Sequence, residues 1–257
     1  MKIAVIVRQV PDLIEPLEIA DSGSQLRLDG ATFIVNESDE HALEQALLLK
    51  EAGGGTVAVV ALDFGEVDNT LYTAVARGAD QVVKIPWTEE SPPEPRAAAA
   101  MYAAALQELR PDLVLVGVSA IDELVGVLAP FVAAAFDLPY VGVIRGIKPG
   151  PDPATVLVGK EFPGAVMCRL KVRLPAVLGI LGAEQPPRYV PVARIRAAMK
   201  SARFEEREIA PPAVESRVKV TKLHPPDAGR RAEILRGSIC AVAARIAGIL
   251  AQKGLLK

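Results

Sequence analysis

The sequence predicts an α/β protein with a doubly wound, mostly parallel β-sheet. Short, continuously apolar runs alternate with amphipathic helical stretches over residues 2–144, and this order is typical of crossover units in such a sheet. Hydrophobic residues make up 51% of the chain and aromatic residues only 4%, so the expected core is built from aliphatic side chains. Strands of this composition are typical of a sheet that helices cover on both faces.

The composition excludes several classes of protein. A net charge of −2, without a dense run of Lys and Arg, argues against nucleic-acid binding. No apolar stretch reaches the roughly 18 residues of a membrane span. The apolar patch after Lys2 is too short for a signal peptide and is interpreted as a first strand. We therefore expect a cytoplasmic protein.

Histidine and cysteine are too few and too scattered for a metal site. His41, His224, Cys168 and Cys240 show no metal-ligand spacing, so no metal ligand is predicted. We interpret the two cysteines as buried free thiols, with a disulfide between them as the alternative.

The chain begins with a buried strand at Lys2–Arg8, and Pro11 stops it. The turn-rich stretch Leu13–Ile34 predicts a small hairpin outside the main sheet. Ser38 is predicted to cap the first helix, because acidic residues and an apolar stripe follow it. The glycine run 53–55 follows this helix and precedes a strand, so we interpret it as a helix stop and not as a phosphate loop.

The alternation of strands and helices continues to residue 144. One junction stands out, because the strand ending at Gly117 is predicted to feed a helix whose free N–H groups face an anion. The further predicted strands are Thr56–Leu62, Gln81–Ile85, Asp112–Gly117 and Tyr140–Ile144, and the further predicted helices are Glu66–Arg77, Arg96–Leu109 and Ile121–Phe136.

The pattern changes after Arg145. Three strands follow without helices between them, at Thr155–Lys160, Ala165–Val172 and Ala176–Leu181, and we expect antiparallel additions to the sheet. A Pro-rich, charged arm then begins, in which residues 196–200 predict a helical turn, and a helix over about 230–253 closes the chain. The predicted domains are therefore residues 1–183 and residues 184–257.

A nucleotide site in such a sheet lies at the carboxyl ends of the strands, near the point where the strand order reverses. A purely structural role remains the alternative to ligand binding for several candidates. Residues 36–39 would cap their helix, Asp63 would belong to a turn, and the Asp122 carboxylate would interact favourably with the helix dipole. The predicted cofactor-binding residues are Ile6, Arg8, Asn36, Glu37, Ser38, Asp39, Leu62, Asp63, Gly117, Ser119, Ala120, Asp122 and Gly126.

No catalytic constellation is found. Neither GxGxxG nor GxxxxGK[ST] occurs, and Ser119 has no histidine nearby. The acidic pairs 39–40 and 205–206 are explained by solvation on polar faces. The sequence therefore predicts a binding or scaffold protein and not an enzyme, unless a cofactor supplies the chemistry.

Five segments, in one order along nearly the whole chain, resemble the β subunit of electron transfer flavoproteins. Their shared order is more specific than any single motif, and it implies the adenine nucleotide alpha hydrolase-like version of the sheet. The segments are Lys2–Asp12 (KIAVIVRQVPD), Asn36–Lys50 (NESDEHALEQALLLK), Thr73–Asp80 (TAVARGAD), Asp112–Asp122 and Pro187–Lys200.

The resemblance implies a heterodimer in which an α subunit carries a redox-active FAD. In the β subunit it implies a structural AMP, or the adenylate of a second FAD in flavin-bifurcating relatives. The segment 187–200 would dock on a flavoprotein such as an acyl-CoA dehydrogenase, through Tyr189, Val192, Ile195 and Met199. Val192 stands at the position of the family's anchoring leucine, which removes roughly one methylene of burial, about 0.8 kcal/mol.

The nucleotide loop departs from the family pattern. Apolar residues or alanine replace its polar and glycine positions at Leu124, Val125, Val127 and Ala129, and a Glu-Ser pair at 37–38 replaces Pro-Phe. A buried phosphate with fewer partners is destabilised by several kcal/mol. Two alternatives remain open: AMP is bound weakly or not at all, or backbone N–H groups of residues 117–122 hold it.

Three functions are compatible with these observations. The first is an electron transfer flavoprotein β-type subunit that supports electron transfer between an α-bound FAD and a dehydrogenase or quinone-linked acceptor. The second is a nucleotide-free structural paralogue dedicated to one flavoenzyme complex. The third is a nucleotide-binding protein of the universal-stress type, against which the long arm argues.

Overall fold

The computed structural model contains two compact units, residues 1–221 and residues 222–257. The structure describes every residue except 66, 90, 124, 211, 213–217, 227–231 and 257. The helices are α1 (Glu37–Gly53), α2 (Val67–Arg77), α3 (Pro95–Leu109), α4 (Leu128–Phe136), α5 (Val192–Ser201) and α6 (Ile239–Gln252). The strands are β1 (Lys2–Ile6), β2 (Gln9–Pro11), β3 (Glu18–Ile19), β4 (Leu26–Arg27), β5 (Phe33–Val35), β6 (Thr56–Leu62), β7 (Gln81–Ile85), β8 (Leu113–Gly117), β9 (Tyr140–Pro149), β10 (Thr155–Phe162), β11 (Val166–Arg173), β12 (Ala176–Gly182) and β13 (Glu205–Glu206).

A nine-stranded sheet organises the first unit, in the order β11-β10-β9-β12-β8-β1-β6-β7-β13. β1 lies at its centre and pairs in parallel with both β6 and β8. The chain leaves β1 towards β6 on one side and returns to β8 on the other, so the carboxyl ends of β1 and β8 form the topological switch point. The predicted doubly wound, mostly parallel sheet is confirmed.

Two hydrophobic layers hold helices against the two faces of this sheet. Successive side chains of β1 point to opposite faces, as a strand requires. Val5 belongs to the layer that includes α1 and α2, whereas Ile6 belongs to the layer that includes α3 and α4. Because both faces are covered, the central strands are apolar throughout, which explains the continuous aliphatic runs in the sequence.

The antiparallel additions are confirmed for two of the three strands. β10 pairs antiparallel with both β9 and β11. The prediction is wrong for Ala176–Leu181, because β12 lies between β8 and β9 and runs parallel to both. The strands β10 and β11 lie on the far side of β9 from β12. The chain therefore passes back over β9 and β10 after β11, and β12 then runs parallel to β8.

Two predicted helix starts in the first unit are wrong. α1 begins at Glu37 with Asn36 as its N-cap, and the carbonyl of Asn36 accepts hydrogen bonds from the N–H groups of Asp39 and Glu40. Ser38 is therefore inside the first turn and does not cap the helix. The helix predicted from Ile121 begins only at Leu128, after a loop in which Gly126 adopts a φ of +49°.

Part of the segment after β12 packs against the sheet and helices of the first unit, to which it belongs. α5 lies beside α2, with Ala198 buried against Ala76, and β13 extends the sheet edge beyond β7. The small hairpin predicted in 13–34 is confirmed as β3–β4. Among the described residues, no helix combines the length and apolarity that crossing a bilayer requires.

The second unit contains α6, none of whose residues is buried. The helix predicted over about 230–253 starts only at Ile239, with Ser238 as its N-cap, so its predicted first part is wrong. Arg230, its predicted first residue, lies outside the described residues, as does Glu66, the predicted start of α2. Cys168 is partly exposed and Cys240 is exposed, so the predicted burial of the two thiols is wrong.

Candidate functional site

Asp39 joins three elements at the switch point. Its carboxylate is fully buried in the first turn of α1. One oxygen, Oδ2, accepts hydrogen bonds from the backbone N–H and the Nε of Arg8, at 3.0 and 2.9 Å. The other, Oδ1, accepts from Nη2 of Arg8 at 3.1 Å and from the N–H of Gly117 at 2.7 Å. The carboxylate thus connects α1 to the ends of β1 and β8.

Glu123 completes the ion pairs of Arg8. Its Oε1 accepts from Nη1 of Arg8 at 2.7 Å, and the side chains of Arg8 and Glu123 are only 12% and 14% exposed. Burial raises the pKa of the Glu123 carboxyl above its ordinary value, and this effect outweighs the opposing charge of Arg8. The buried Oε2 of Glu123 has no hydrogen-bond partner in the part of the chain that the structure describes.

The loop after β8 is held by backbone and side-chain hydrogen bonds. Asn36 is buried and donates from Nδ2 to the carbonyl of Ser119 at 2.9 Å, and Nη2 of Arg8 donates to the same carbonyl at 3.4 Å. The N–H of Val118 donates to Ile180, and the N–H of Gly117 is taken by the carboxylate described above. Two N–H groups that the sequence offered to an anion therefore already have partners.

Glycine is required at two places in this loop. A Cβ on Gly117 would lie 2.2 Å from Oδ1 of Asp39, so any side chain there displaces the buried carboxylate. Gly126 has a positive φ, and a Cβ there would lie 2.6 Å from the carbonyl of Val118. The absence of a side chain at Gly117 lets the end of β8 approach the α1 terminus, and its absence at Gly126 lets the loop fold back onto Val118.

The structure brings together only part of the predicted cofactor-binding set. Arg8, Asn36, Asp39, Gly117 and Ser119 form the hydrogen-bonded network at the switch point. The other members are placed as follows: Ile6, Leu62 and Ala120 are buried, Ser38 lies beside Gly117, Glu37 and Asp122 are exposed, Asp63 pairs with Lys84 at 3.2 Å, and Gly126 packs on Val118.

Sequence reasoning missed Glu123. The predicted helix from residue 121 included this residue without assigning it a role, whereas the observed loop turns it towards Arg8. The sequence does show a second acidic residue directly after Asp122. Its partner Arg8 is 115 positions away, so no local pattern in the sequence indicates that the two pair. Leu124, on which the altered-loop argument partly depended, lies outside the described residues.

The charges at this site do not fit a bound phosphate. Asp39 and Glu123 both contact Arg8, and Asp122 adds a third carboxylate at the same loop against one guanidinium. A phosphate brings further negative charge to a place where the charge of Glu123 is already disfavoured. Within the described residues, no group of three or more His, Cys, Asp or Glu side chains is arranged to hold a metal ion.

The predicted partner-binding residues lie on a second surface, the docking segment 187–201. Its side chains Tyr189, Val192 and Met199 are 84%, 57% and 48% exposed, while Ile195 is half-buried against the Val190–Ala198 cluster. Large apolar side chains exposed together on one short segment are typical of an interaction surface.

Arg188 anchors the docking segment. Its backbone N–H and guanidinium donate to the buried carboxylate of Glu44 in α1, with Nη2 at 2.8 Å and Nε at 2.9 Å from the carboxylate oxygens. A bidentate Arg–carboxylate pair fixes orientation as well as position. Sequence reasoning missed both residues, because they are 144 positions apart.

Comparisons with known proteins agree on one family. A family model described as "Electron transfer flavoprotein domain" matches residues 26–213. The chain is 28% identical over 261 residues to the electron transfer flavoprotein subunit beta of Methylophilus methylotrophus, covering 97% of this chain and 98% of that protein. It is 30% identical over 229 residues to the corresponding subunit of Syntrophomonas wolfei, covering 89% and 87%. It is also 30% identical over 200 residues to the "Caffeyl-CoA reductase-Etf complex subunit CarD" of Acetobacterium woodii, covering 77% and 75%.

Proposed function

The chain belongs to the electron transfer flavoprotein beta family, and from this premise we propose that it is the β subunit of a heterodimeric electron carrier. The observation that carries the proposal is the full-length similarity to a beta subunit, which includes the segment after the sheet. In this proposal an α subunit holds the redox-active FAD, and the β subunit covers it. The chain itself then performs no bond-making chemistry, because the flavin carries the electrons.

The docking segment is the proposed contact with the electron donor or acceptor. Two relatives are named for reductase complexes, one with caffeyl-CoA reductase and one with acryloyl-CoA reductase. By analogy, the partner of this chain is a flavoprotein dehydrogenase or reductase, or a quinone-linked acceptor. The anchoring of Arg188 on Glu44 supports this role, since it holds the exposed Tyr189 and Val192 in one orientation.

The second unit is the proposed contact with the α subunit. α6 exposes Ile239 and Ile246, which are 89% and 45% exposed, and none of its residues is buried. An apolar helix without a buried face gains stability only when another surface covers it. The proposed cellular location of the complex is the cytoplasm.

The test is reconstitution with the α subunit. The full-length chain is mixed with it, and the product is examined by size-exclusion chromatography with light scattering and by flavin absorbance after denaturation. We expect a 1:1 complex that contains FAD and is reduced by its dehydrogenase, while the chain alone holds no flavin. A chain that forms a homodimer and ignores the α subunit would instead support a stand-alone nucleotide-binding protein.

A structural paralogue is the second candidate. The filled pocket around Arg8 favours it, because a subunit without its own nucleotide depends more on one dedicated complex. In the same experiment, this candidate predicts a complex whose flavin exchanges electrons with a single tightly bound enzyme and not with free dehydrogenases.

A further inference from the structure

We propose that the Glu123 carboxylate takes the place of a bound anion at Nη1 of Arg8. It thereby excludes the phosphate of an adenine nucleotide from the switch point. The inference rests on the proposed function, since it concerns the ligand content of the β subunit. In this proposal a single side chain of the protein excludes the nucleotide, because its carboxylate lies where the phosphate would bind.

The geometry of Arg8 leaves one place for an anion. Nε and Nη2 both donate to Asp39, which is fully buried and also holds Gly117. These bonds are part of the framework of α1, β1 and β8. The remaining nitrogen, Nη1, points to the loop after β8, where Glu123 accepts its hydrogen bond at 2.7 Å. A phosphate recognised by Arg8 would need this same nitrogen.

The source of the anion distinguishes Glu123 from Asp39. Asp39 comes from the rigid first turn of a 17-residue helix and satisfies two backbone N–H groups as well as the guanidinium. Glu123 comes from an irregular loop and accepts hydrogen bonds only from Arg8 in the described part of the chain, with Oε2 buried and unpartnered. Glu123 therefore contacts Arg8 as a bound anion would, and it makes fewer hydrogen bonds to the rest of the fold than Asp39 does.

The electrostatics oppose a second anion in the same place. A carboxylate and a phosphate a few ångströms apart repel each other, and burial strengthens the repulsion because it lowers the local dielectric constant. Burial already raises the pKa of Glu123 despite the neighbouring guanidinium. A nucleotide can bind only if the Glu123 side chain leaves the pocket or takes up a proton.

Part of the backbone at this site is already hydrogen-bonded. The N–H of Gly117 donates to Asp39, that of Val118 to Ile180, and that of Glu123 to Ala120. The loop runs to residue 127 before α4 begins, so no helix N-terminus follows β8 directly. The helix N-terminus at the switch point is that of α1, and its first turn already carries the carboxylate of Asp39. Exclusion by Glu123 thus acts on a site where three of the backbone N–H groups after β8 already have partners.

The experiment separates the ligand question from the proposed function. AMP is titrated calorimetrically into the full-length chain alone, as wild type and as Glu123→Ala and Glu123→Gln. The matched control is Glu37→Ala, which removes an exposed carboxylate from the adjacent α1 terminus without touching Arg8. In parallel, the complex with the α subunit is denatured, and the released FAD and AMP are quantified by mass spectrometry.

We expect no measurable AMP binding by wild type and by Glu37→Ala. Loss of the like charge should make AMP binding measurable in Glu123→Ala and Glu123→Gln, with an affinity at least about ten-fold above the detection limit that bounds the wild type. Far-ultraviolet circular dichroism verifies the fold of each variant, and the isosteric Glu123→Gln serves as the test if the alanine variant unfolds. The wild-type complex should release FAD and no AMP.

Stoichiometric AMP in the wild-type complex overturns the inference, and so does a Glu123→Gln variant that folds but gains no affinity. An equal gain in AMP affinity in Glu37→Ala overturns the inference too, since it would reflect the net charge and not the contact of Glu123 with Nη1 of Arg8. A complex without FAD overturns the proposed function alone, because the AMP titration on the single chain still decides the role of Glu123.

Discussion

Asp39 holds the candidate site together at the scale of single residues. The carboxylate accepts from Arg8 and Gly117 at the junction of α1, β1 and β8, and no part of its side chain is exposed. Removal of one partner from a buried ion pair leaves the other charge uncompensated, which destabilises a protein far more than loss of a surface pair.

Asp39→Asn should therefore destabilise the chain strongly. The amide retains the shape of the carboxylate but loses its charge and half of its acceptor capacity, so we expect the free energy of unfolding to fall by about 3 kcal/mol. Urea denaturation of the full-length chain measures this loss. The control is Asp63→Asn, which removes a partly exposed ion pair with Lys84. This pair should contribute less than about 1 kcal/mol to the free energy of unfolding. Equal losses for the two variants would show that the network is not the main local support.

Glu123 should make stability depend on pH. Burial raises the pKa of its carboxyl above the ordinary 4.5, so the folded chain holds this proton more tightly than the unfolded chain. The stabilising contribution is complete below pH 4.5 and is lost as the pH rises through the folded-state pKa. Glu123→Gln lacks this titration. Urea unfolding of both proteins between about pH 4 and about pH 7 should show the wild type losing stability relative to the variant as the pH rises. A difference independent of pH would contradict the assigned burial of the charge.

At the scale of elements, the docking segment shows how one ion pair orients a helix. α5 buries only Ala198, and its other residues are partly or fully exposed. Such a short, exposed helix is marginal on its own. The bidentate pair of Arg188 with Glu44 precedes the helix and fixes the point from which it departs.

Arg188→Ala should loosen this element while the sheet stays intact. Glu44 would remain buried without its cation, and α5 would lose its N-terminal anchor. We expect faster hydrogen exchange over 187–201, with strands β1 and β6 unchanged, and about ten-fold weaker binding of the partner flavoenzyme. Arg194→Ala is the matched control, because Arg194 is exposed on the same helix. Similar exchange in both variants would argue against the anchoring role.

At the scale of the whole molecule, the chain combines a self-sufficient sheet domain with a unit that has no buried helix face. The first unit contains both hydrophobic layers, and the second exposes Ile239 and Ile246. This division is what a subunit needs if it folds first and is then completed by a partner.

The double variant Ile239→Asp/Ile246→Asp tests that division in the full-length chain. Both side chains are exposed, so the thermal unfolding midpoint of the isolated chain should change little. Two charges placed in an apolar interface should weaken association with the α subunit by at least about 100-fold, as measured by calorimetry. Gln252→Ala, at the end of the same exposed helix, should leave association unchanged. Undiminished association of the double variant would assign the α-subunit contact to another surface.

The elements with the most local signals were predicted most accurately. β6 and β7 have the bounds that the apolar runs indicated, and the glycines at 53–55 do end α1. Burial on both faces leaves a continuous aliphatic run, and a left-handed glycine at a helix end needs no distant partner. These signals are complete within a few neighbouring residues.

The direction of β12 and the loop 118–127 were not predictable in the same way. A strand has the same composition whether it runs parallel or antiparallel, so the direction of β12 depends on where β9 and β8 lie. The apolar residues after Ile121 have a helical composition, yet Gly126 and the pull of Arg8 on Glu123 hold the segment as a loop. Both outcomes depend on contacts between residues that are distant in sequence.

The sequence by itself determined the α/β class, the order of most elements, the family resemblance and part of the set of residues near the switch point. Only the tertiary structure decided which of those residues meet, that Glu123 joins Arg8, and that Arg188 binds Glu44. The physical reason is that local apolar spacing records which residues are buried, whereas these ion pairs join residues from distant parts of the chain. The pair of Arg8 with Glu123 joins segments that follow two neighbouring strands, and the pair of Arg188 with Glu44 joins α1 to the segment after β12, so neither exists until the chain has folded.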